Sequence, residues 1–306
     1  MMKRFITKKG DQKHKSLAIR FSNQFWMWML LLPALSMVFF IQWIPVLKGM
    51  WMSLFETKGY STVGFVGLEN YKNILTDTIF STTLLNTFKY VFWSIVIGAI
   101  PPFILALFLN EIVHGRNTFR FLTYLPNVAP ALAVSIIWSC IYSPAQSGLF
   151  NSILSTVGIP PQQWLLDKNM TIPLIILSMS WSGAPGTALI YYSALQGISQ
   201  DLYEAATLDG AGMCRKLFTV TIPQIAPTLL LMIVRQVISV FQIMQEPLIM
   251  TNGGPSNASL SLNLSSYNMA FVYGQVDRSL ALGTVTFIIL IIITIFYFKL
   301  EKKISD

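Results

Sequence analysis

Six long apolar stretches dominate the sequence, and shorter polar segments separate them. They cover residues 25–47, 84–110, 121–143, 172–195, 222–249 and 279–298. A membrane core about 30 Å thick requires roughly 20 apolar residues of helix, and each stretch reaches that length. The pattern therefore predicts an all-α integral membrane protein, in which six transmembrane helices form one bundle over residues 25–298.

Composition supports this interpretation. Hydrophobic residues make up 54% of the chain, charged residues only 11%, and the mean hydropathy is +0.58. A soluble domain carries about 25% charged residues, so the composition excludes an ordinary soluble protein. The first apolar stretch is also longer than the apolar core of about 7–15 residues in a signal peptide. We expect it to remain as a helix.

The charge distribution predicts an orientation. Of the 21 Lys and Arg residues, 14 lie in segments on one side of the predicted membrane and five on the other. Basic residues collect on the cytoplasmic side, so both termini, residues 1–24 and 299–306, are expected there. The net charge of +8 flanks apolar stretches and forms no patch suited to nucleic acid, so lipid is the expected surroundings.

Several other functions have little support in the residues. Cys140 falls in an apolar stretch and Cys214 in a polar loop, at depths that prevent a disulfide. Neither a cluster of metal ligands nor a nucleophile with an obvious base is visible, so no enzyme or metal site is predicted. The spans hold no chain of acidic or histidine residues suited to a proton relay. An ion-coupled secondary transporter is therefore the alternative and not the first hypothesis.

The polar loop 197–227, between the fourth and fifth stretches, predicts a short helix outside the membrane. Ser199 is a favourable N-cap and Glu204 suits the first helical turns. Gly210 and Gly212 can end the helix, because glycine adopts the left-handed conformation without steric cost. Such a helix, held between two spans, is suited to dock on a cytoplasmic partner.

The same loop carries a family resemblance. Glu204-Ala205-Ala206, then Gly210, then Ile222-Pro223 resembles the EAA loop of binding-protein-dependent ABC importer permeases. That family ends the motif in Ile-x-Leu-Pro, where this chain has Val220 and Ile222 before the proline. Three further segments resemble the carbohydrate branch, in particular the larger maltose-transporter permease without its periplasmic insertion: Phe65–Tyr71, Asn86-Thr87 and Thr251–Pro255.

The resemblance implies an assembly in a bacterial cell membrane that imports a sugar or an oligosaccharide. Its other members would be a second permease chain, two cytoplasmic ATPase subunits and an extracytoplasmic sugar-binding protein. This chain has no G-x-x-x-x-G-K-[ST] phosphate loop, so ATP-Mg would bind the partner subunits. Coupling to the ATPase is expected in the loop 197–223, at Glu204, Ala205, Ala206, Asp209 and Gly210.

Polar residues within the spans are candidates for a substrate pathway, because they are costly in a bilayer. On the predicted fifth helix, Arg235, Ser239, Gln242 and Glu246 share one face, with Gln245 beside it. They could line a sugar pathway or bond to neighbouring helices. The candidate pathway residues are Arg235, Ser239, Gln242, Gln245, Trp181 and Asn127.

Three of these positions leave alternatives open. Arginine at a helix centre costs about 2.5–3.5 kcal/mol on insertion scales, so Arg235 needs a carboxylate. A partner permease or an acidic sugar of the uronate or sialate type would supply it. Asn127, between Pro126 and Pro130, could line the path or cap a kinked turn. The segment Trp181–Gly186 could open backbone groups to a cavity or allow close packing.

Overall fold

The computed structural model describes residue 25 and residues 27–112 and 114–305, so the predicted cytoplasmic segment 1–24 lies outside it. Within this part, five helices are long and apolar enough to cross a membrane, and two shorter helices, bent by 88°, make a sixth span if counted as one. The all-α membrane bundle is confirmed. Inner and outer sides are named below by the orientation that the charges predict.

The described residues form twelve α-helices and one hairpin. In chain order they are α1 Met27–Met52, β1 Phe55–Lys58, β2 Ser61–Phe65, α2 Glu69–Leu75, α3 Thr78–Glu111, α4 Arg116–Val128, α5 Ala131–Ile141, α6 Leu149–Thr156, α7 Thr171–Leu195, α8 Gln200–Leu208, α9 Met213–Phe241, α10 Gln245–Thr251, α11 Leu262–Tyr267 and α12 Val276–Ser305. The last helix runs on through the predicted tail 299–305.

Helix α7 is the centre of the bundle. In its most apolar stretch 39% of the residues are buried within the chain, compared with 0% for α1. Tyr90, Ile175 and Val240 join α3, α7 and α9 in one buried cluster, and Ala106 and Ala188 belong to a second. Any cavity inside the bundle is therefore lined by α7 and the spans packed around it.

The predicted third span, 121–143, is not one straight helix. Helix α4 ends at Val128, Ala129 has an extended ψ of 136°, and Pro130 precedes α5. The proline ring disfavours helical backbone at the residue before it, which explains the break. The bend of 88° places α4 across the direction of α5.

The predicted fifth span, 222–249, was wrong beyond residue 241. Helix α9 ends at Phe241, Gln242 caps it, and Met244 leaves helical geometry with φ −142°. Pro247 supplies the reason, because a proline clashes with the carbonyl four residues earlier, here that of Ile243. That carbonyl instead accepts a hydrogen bond from the Ser261 hydroxyl at 2.5 Å.

The outer loop after α10 is fastened to α3 by buried polar side chains. Asn86 donates from Nδ2 to the carbonyls of Asn257 (2.7 Å) and Leu260 (3.1 Å), and the Tyr90 hydroxyl donates to the Ser259 carbonyl at 2.9 Å. Thr87 accepts from the backbone N–H of Leu262. We call this set of contacts the outer clamp. It joins Asn86-Thr87 to the loop that begins with Thr251–Pro255, two segments that the sequence resemblance identified separately.

Candidate functional site

A cavity of about 470 Å³ lies between α3, α4, α7 and α9. Small residues create the space: Gly98 on α3 and Gly183, Ala184 and Gly186 on α7 all line it. Its polar lining consists of Ser94, Tyr124, Asn127, Ser180, Thr187, Arg235, Gln236 and Ser239. Three of the predicted pathway residues, Asn127, Arg235 and Ser239, are therefore brought together.

Arg235 and Ser239 lie one helical turn apart on α9 and are both exposed within the isolated chain. No ion pair or hydrogen bond joins the Arg235 guanidinium to another described residue, and no Asp or Glu lines the cavity. A cation at this depth without a carboxylate is costly. The cavity is thus suited to a ligand or a neighbouring chain that brings a negative charge.

Asn127 holds α4 against α7. Its Nδ2 donates to the carbonyl of Ser182 at 3.0 Å, and a Cβ atom on Gly186 would lie only 3.2 Å from that amide. The glycine therefore permits the close approach. The Trp181–Gly186 segment thus packs closely against α4, which is one of the two alternatives that the sequence left open.

Gln236 is a cavity residue that sequence reasoning left out of the site. Its side-chain N–H donates to the Ser94 carbonyl at 2.5 Å. A Cβ on Gly98 would also lie 2.5 Å from the same nitrogen, so a larger residue there would displace the Gln236 amide from this position. An amide next to an arginine in an apolar helix was the available signal. The Ser94 carbonyl that Gln236 reaches could not be inferred from spacing.

The other predicted pathway residues do not line the cavity. Trp181 stacks edge-on against Trp138, with ring centroids 6.0 Å apart. Gln242 caps α9, and its carbonyl accepts from Asn263 at 2.8 Å. Gln245 is exposed on α10, a separate helix that also carries Glu246. The single polar face predicted for 235–246 is therefore wrong, because it required an unbroken helix.

Three further aromatic side chains of α7 and α9, Tyr191, Tyr192 and Phe241, also do not line the cavity. Phe241 is fully buried, and Tyr191 packs against Phe103. The Tyr192 ring carries the Arg120 guanidinium at 4.1 Å from its centroid. Tyr124 is the aromatic side chain on the lining of the cavity. It lies on α4, an amphipathic helix that is not well predicted by the length of an apolar stretch.

The inner loop has the local structure that its sequence predicts. Ser199 caps α8 and accepts from the N–H of Asp201. After Asp209, Gly210 takes φ +74°, and the N–H of Ala211 bonds back to the Ala206 carbonyl at 2.9 Å. This is the glycine helix ending expected of Gly210. Gly212, by contrast, begins α9 and does not end α8.

The inner loop exposes both polar and apolar side chains. Glu204, Ala205 and Asp209 are exposed, and the large side chains of Leu208 and Met213 are 90% and 81% exposed. The Tyr203 hydroxyl lies 3.0 Å from the Thr221 hydroxyl, which ties α8 to the base of α9. A force on α8 would therefore reach α9, which carries Arg235.

Comparison with known proteins now identifies the chain. Residues 89–306 match the family described as binding-protein-dependent transport system inner membrane component. The chain belongs to this family. It is a multi-pass membrane transport subunit, and an ion-coupled secondary transporter is no longer favoured.

Two relatives match this chain over most of its length. The chain is 30% identical to the trehalose/maltose transport system permease protein MalF of Thermococcus litoralis over 280 residues, 91% of this chain and 94% of the relative. It is also 30% identical to the arabinooligosaccharides transport system permease protein AraP of Bacillus subtilis over 267 residues, 87% of this chain and 84% of that one.

A solved structure shares the architecture. A chain of a bacterial ABC transporter for the import of the acidic polysaccharide alginate superimposes with a TM-score of 0.81 at 22% identity, covering 95% of this chain and 100% of the other. At that identity the likeness concerns the fold.

Proposed function

We propose that this chain forms half of the translocation pathway of an ATP-driven sugar or oligosaccharide importer. The carrying observation is the cavity that α3, α4, α7 and α9 enclose, with Arg235, Ser239 and Asn127 on its wall. The relatives named for maltose and arabinooligosaccharide transport support the carbohydrate class. Hydroxyl-rich cargo requires amide, hydroxyl and charged partners, and this wall supplies all three.

The assembly that we propose has a second permease chain, two cytoplasmic ATPase subunits and an extracytoplasmic sugar-binding protein. Support for the binding protein comes from the family description and from the alginate transporter, solved with a periplasmic protein bound to an alginate pentasaccharide. ATP and Mg²⁺ would act on the ATPase subunits. Helix α8, with Glu204 and the exposed Leu208 beside Gly210, is the surface that we assign to ATPase docking.

We assign Arg235 to a carboxylate that comes from outside this chain. The guanidinium faces the cavity, and no described acidic residue pairs with it. This carboxylate belongs either to an acidic residue of the second permease or to an acidic sugar of the uronate or sialate type. Both remain within the importer function, and they differ in what an uncharged substitution does to assembly.

Reconstitution tests the function. The purified complex in nanodiscs should hydrolyse ATP faster when its binding protein arrives loaded with sugar, and calorimetry on that binding protein should identify the sugar. Proteoliposomes should accumulate the same sugar when ATP is supplied. ATP hydrolysis that is indifferent to the loaded binding protein, together with sugar uptake driven by an ion gradient, would contradict the proposal.

A further inference from the structure

The hairpin formed by β1 and β2 exposes large apolar side chains. Tyr60, Val63, Phe65 and Leu68 are 73%, 65%, 68% and 71% exposed within the chain. Isolated apolar residues on a surface require no explanation, but a contiguous group adjoining a span marks an interaction site. The question is what covers this hairpin.

The hairpin has two chemically different faces. Residues facing each other across an antiparallel pair point to the same side. Phe55 pairs with Phe65, whereas Glu56 pairs with Gly64 and Lys58 with Ser61. Glu56 and Lys58 are both exposed. We call the face of Phe55 and Phe65 the aromatic face, although it also carries the Thr57–Thr62 pair, and the face of Glu56 and Lys58 the charged face. A β-bulge shifts the register between Glu56 and Thr57.

Two spans fix the hairpin at one membrane boundary. The strand β1 begins three residues after Met52, the last residue of α1. Thr57 also exchanges two hydrogen bonds with Asp277, in the first turn of α12, at 3.2 and 3.0 Å. A strand of four residues reaches only about 13 Å. The hairpin therefore stays close to the ends of both spans.

A chain of rings connects α1 to the aromatic face. The ring of Trp51, which is 62% exposed, lies 5.5 Å from that of Phe55, and Phe55 lies 5.3 Å from Phe65. The most apolar stretch of α1 has 0% of its residues buried within the chain. Ring contacts thus connect the exposed end of a membrane-spanning helix to the hairpin. Aromatic rings favour the headgroup level of a bilayer.

We propose that the hairpin Phe55–Phe65 is an interfacial anchor, whose aromatic face lies in the lipid headgroup region while Glu56 and Lys58 face water. Lipid fits better than the soluble binding protein, because the aromatic surface continues that of α1. A soluble partner covering it would have to reach down to the end of a helix within the bilayer. The anchor would fix the outer ends of α1 and α12 at one depth, independently of what the chain transports.

Spin labels at two matched positions test the anchor. In the full complex in nanodiscs of phosphatidylethanolamine and phosphatidylglycerol, Cys140 and Cys214 are first replaced by serine. Single labels are then placed through Phe65→Cys on the aromatic face and Lys58→Cys on the charged face. We expect collisions with oxygen, relative to a water-soluble nickel chelate, to be several-fold more frequent at position 65 than at position 58.

A second measurement identifies the occupant. Adding the sugar-loaded binding protein should leave the accessibility at position 65 unchanged. Equal nickel collisions at both positions would place the hairpin in water. A loss of nickel and oxygen collisions at position 65 when the binding protein is added would assign the face to that protein, and exclusion of both reagents without it would assign the face to the second permease. Each of these three results would overturn the anchor.

Discussion

The inner loop and the outer clamp are held together by contacts of very different range. In the inner loop, Ser199 bonds to Asp201, and the N–H of Ala211 reaches Ala206. In the outer clamp, Asn86 bonds to carbonyls that are 171 and 174 residues away. Short-range capping rules therefore describe both ends of α8. The second depends on the arrangement of three helices, so its residues have no local signature.

The inner loop and the outer clamp are expected on opposite sides of the membrane. Cysteine labelling gives a yes-or-no test of this orientation. In a background without Cys140 and Cys214, single cysteines replace Lys72, Lys168 and Lys216. An impermeant maleimide should label positions 72 and 168 in intact cells and position 216 only after permeabilisation, because basic residues accumulate inside. Lys216 is partly buried, so the exposed neighbour Arg215 serves as its accessibility control. Labelling of position 215 or 216 in intact cells would reverse the orientation.

The largest functional effect is expected in the inner loop. Gly210→Pro should abolish ATP hydrolysis stimulated by the loaded binding protein, because proline fixes φ near −65° whereas Gly210 has φ +74°. Glu204→Lys should have the same result by reversing the charge of the proposed ATPase contact. The permease should remain inserted in both variants, as membrane fractionation and gel filtration would verify.

Gly212→Ala is the matched control for Gly210. Gly212 has φ −69° and open space at its Cβ position, so alanine fits there without strain. Its stimulated ATP hydrolysis should equal that of the wild type. If Gly210→Pro or Glu204→Lys assembled and hydrolysed ATP normally, α8 would not be the coupling surface.

The outer clamp should fail through stability and not through coupling. Asn86→Leu keeps the side-chain size but removes the donor to the Leu260 carbonyl and leaves the Asn257 carbonyl with only the backbone N–H of Leu260. Each unsatisfied buried group costs about 1–3 kcal/mol. We expect a clearly lower thermal midpoint for the complex, measured by fluorescence-detected gel filtration. Thr82→Val, on the exposed side of the same helix, should leave the midpoint unchanged, and equal midpoints for the two variants would contradict the clamp.

The two regions also show which parts of this fold can be predicted from the sequence. Apolar length located the spans, and Ser199 and Gly210 located the ends of α8. The end of α9 was missed although Pro247 marks it, because hydropathy continues across the break and the proline acts on a residue before it. The partners of Gln236 and Asn86 could not be predicted, since packing of separate spans decides which carbonyl each amide meets.

Arg235 lies on α9, the helix that α8 would move. If a carboxylate of the second permease pairs with it, Arg235→Gln leaves that acid buried and unpaired, at about 3–5 kcal/mol. Assembly should then fall for every substrate. If an acidic sugar pairs with it, assembly should survive and transport of acidic sugars should fall relative to neutral analogues.

Lys89→Gln controls for the loss of a positive charge within a span, because Lys89 is exposed and does not line the cavity. It should change neither assembly nor substrate preference. Normal assembly of Arg235→Gln together with equal transport of acidic and neutral sugars would contradict both assignments. Arg235 would then be a hydrated cation in an open cavity.

The smallest expected effect is on the KM for transport, and it distinguishes a residue that lines the cavity from one that does not. Ser239 lines the cavity, whereas Gln245 is exposed on α10 beyond the break in the fifth span. Ser239→Ala removes a hydrogen-bonding group that is worth about 0.5–1.5 kcal/mol, so the KM for transport should rise by a factor of about 2 to 10. Gln245→Ala is a surface substitution, for which changes within about 0.5 kcal/mol are usual, and its KM should stay near that of the wild type. Uptake of labelled sugar into proteoliposomes measures both. An equal rise for the two variants would mean that the sugar path continues past the cavity along α10, where the unbroken helix expected from hydropathy would also have placed it.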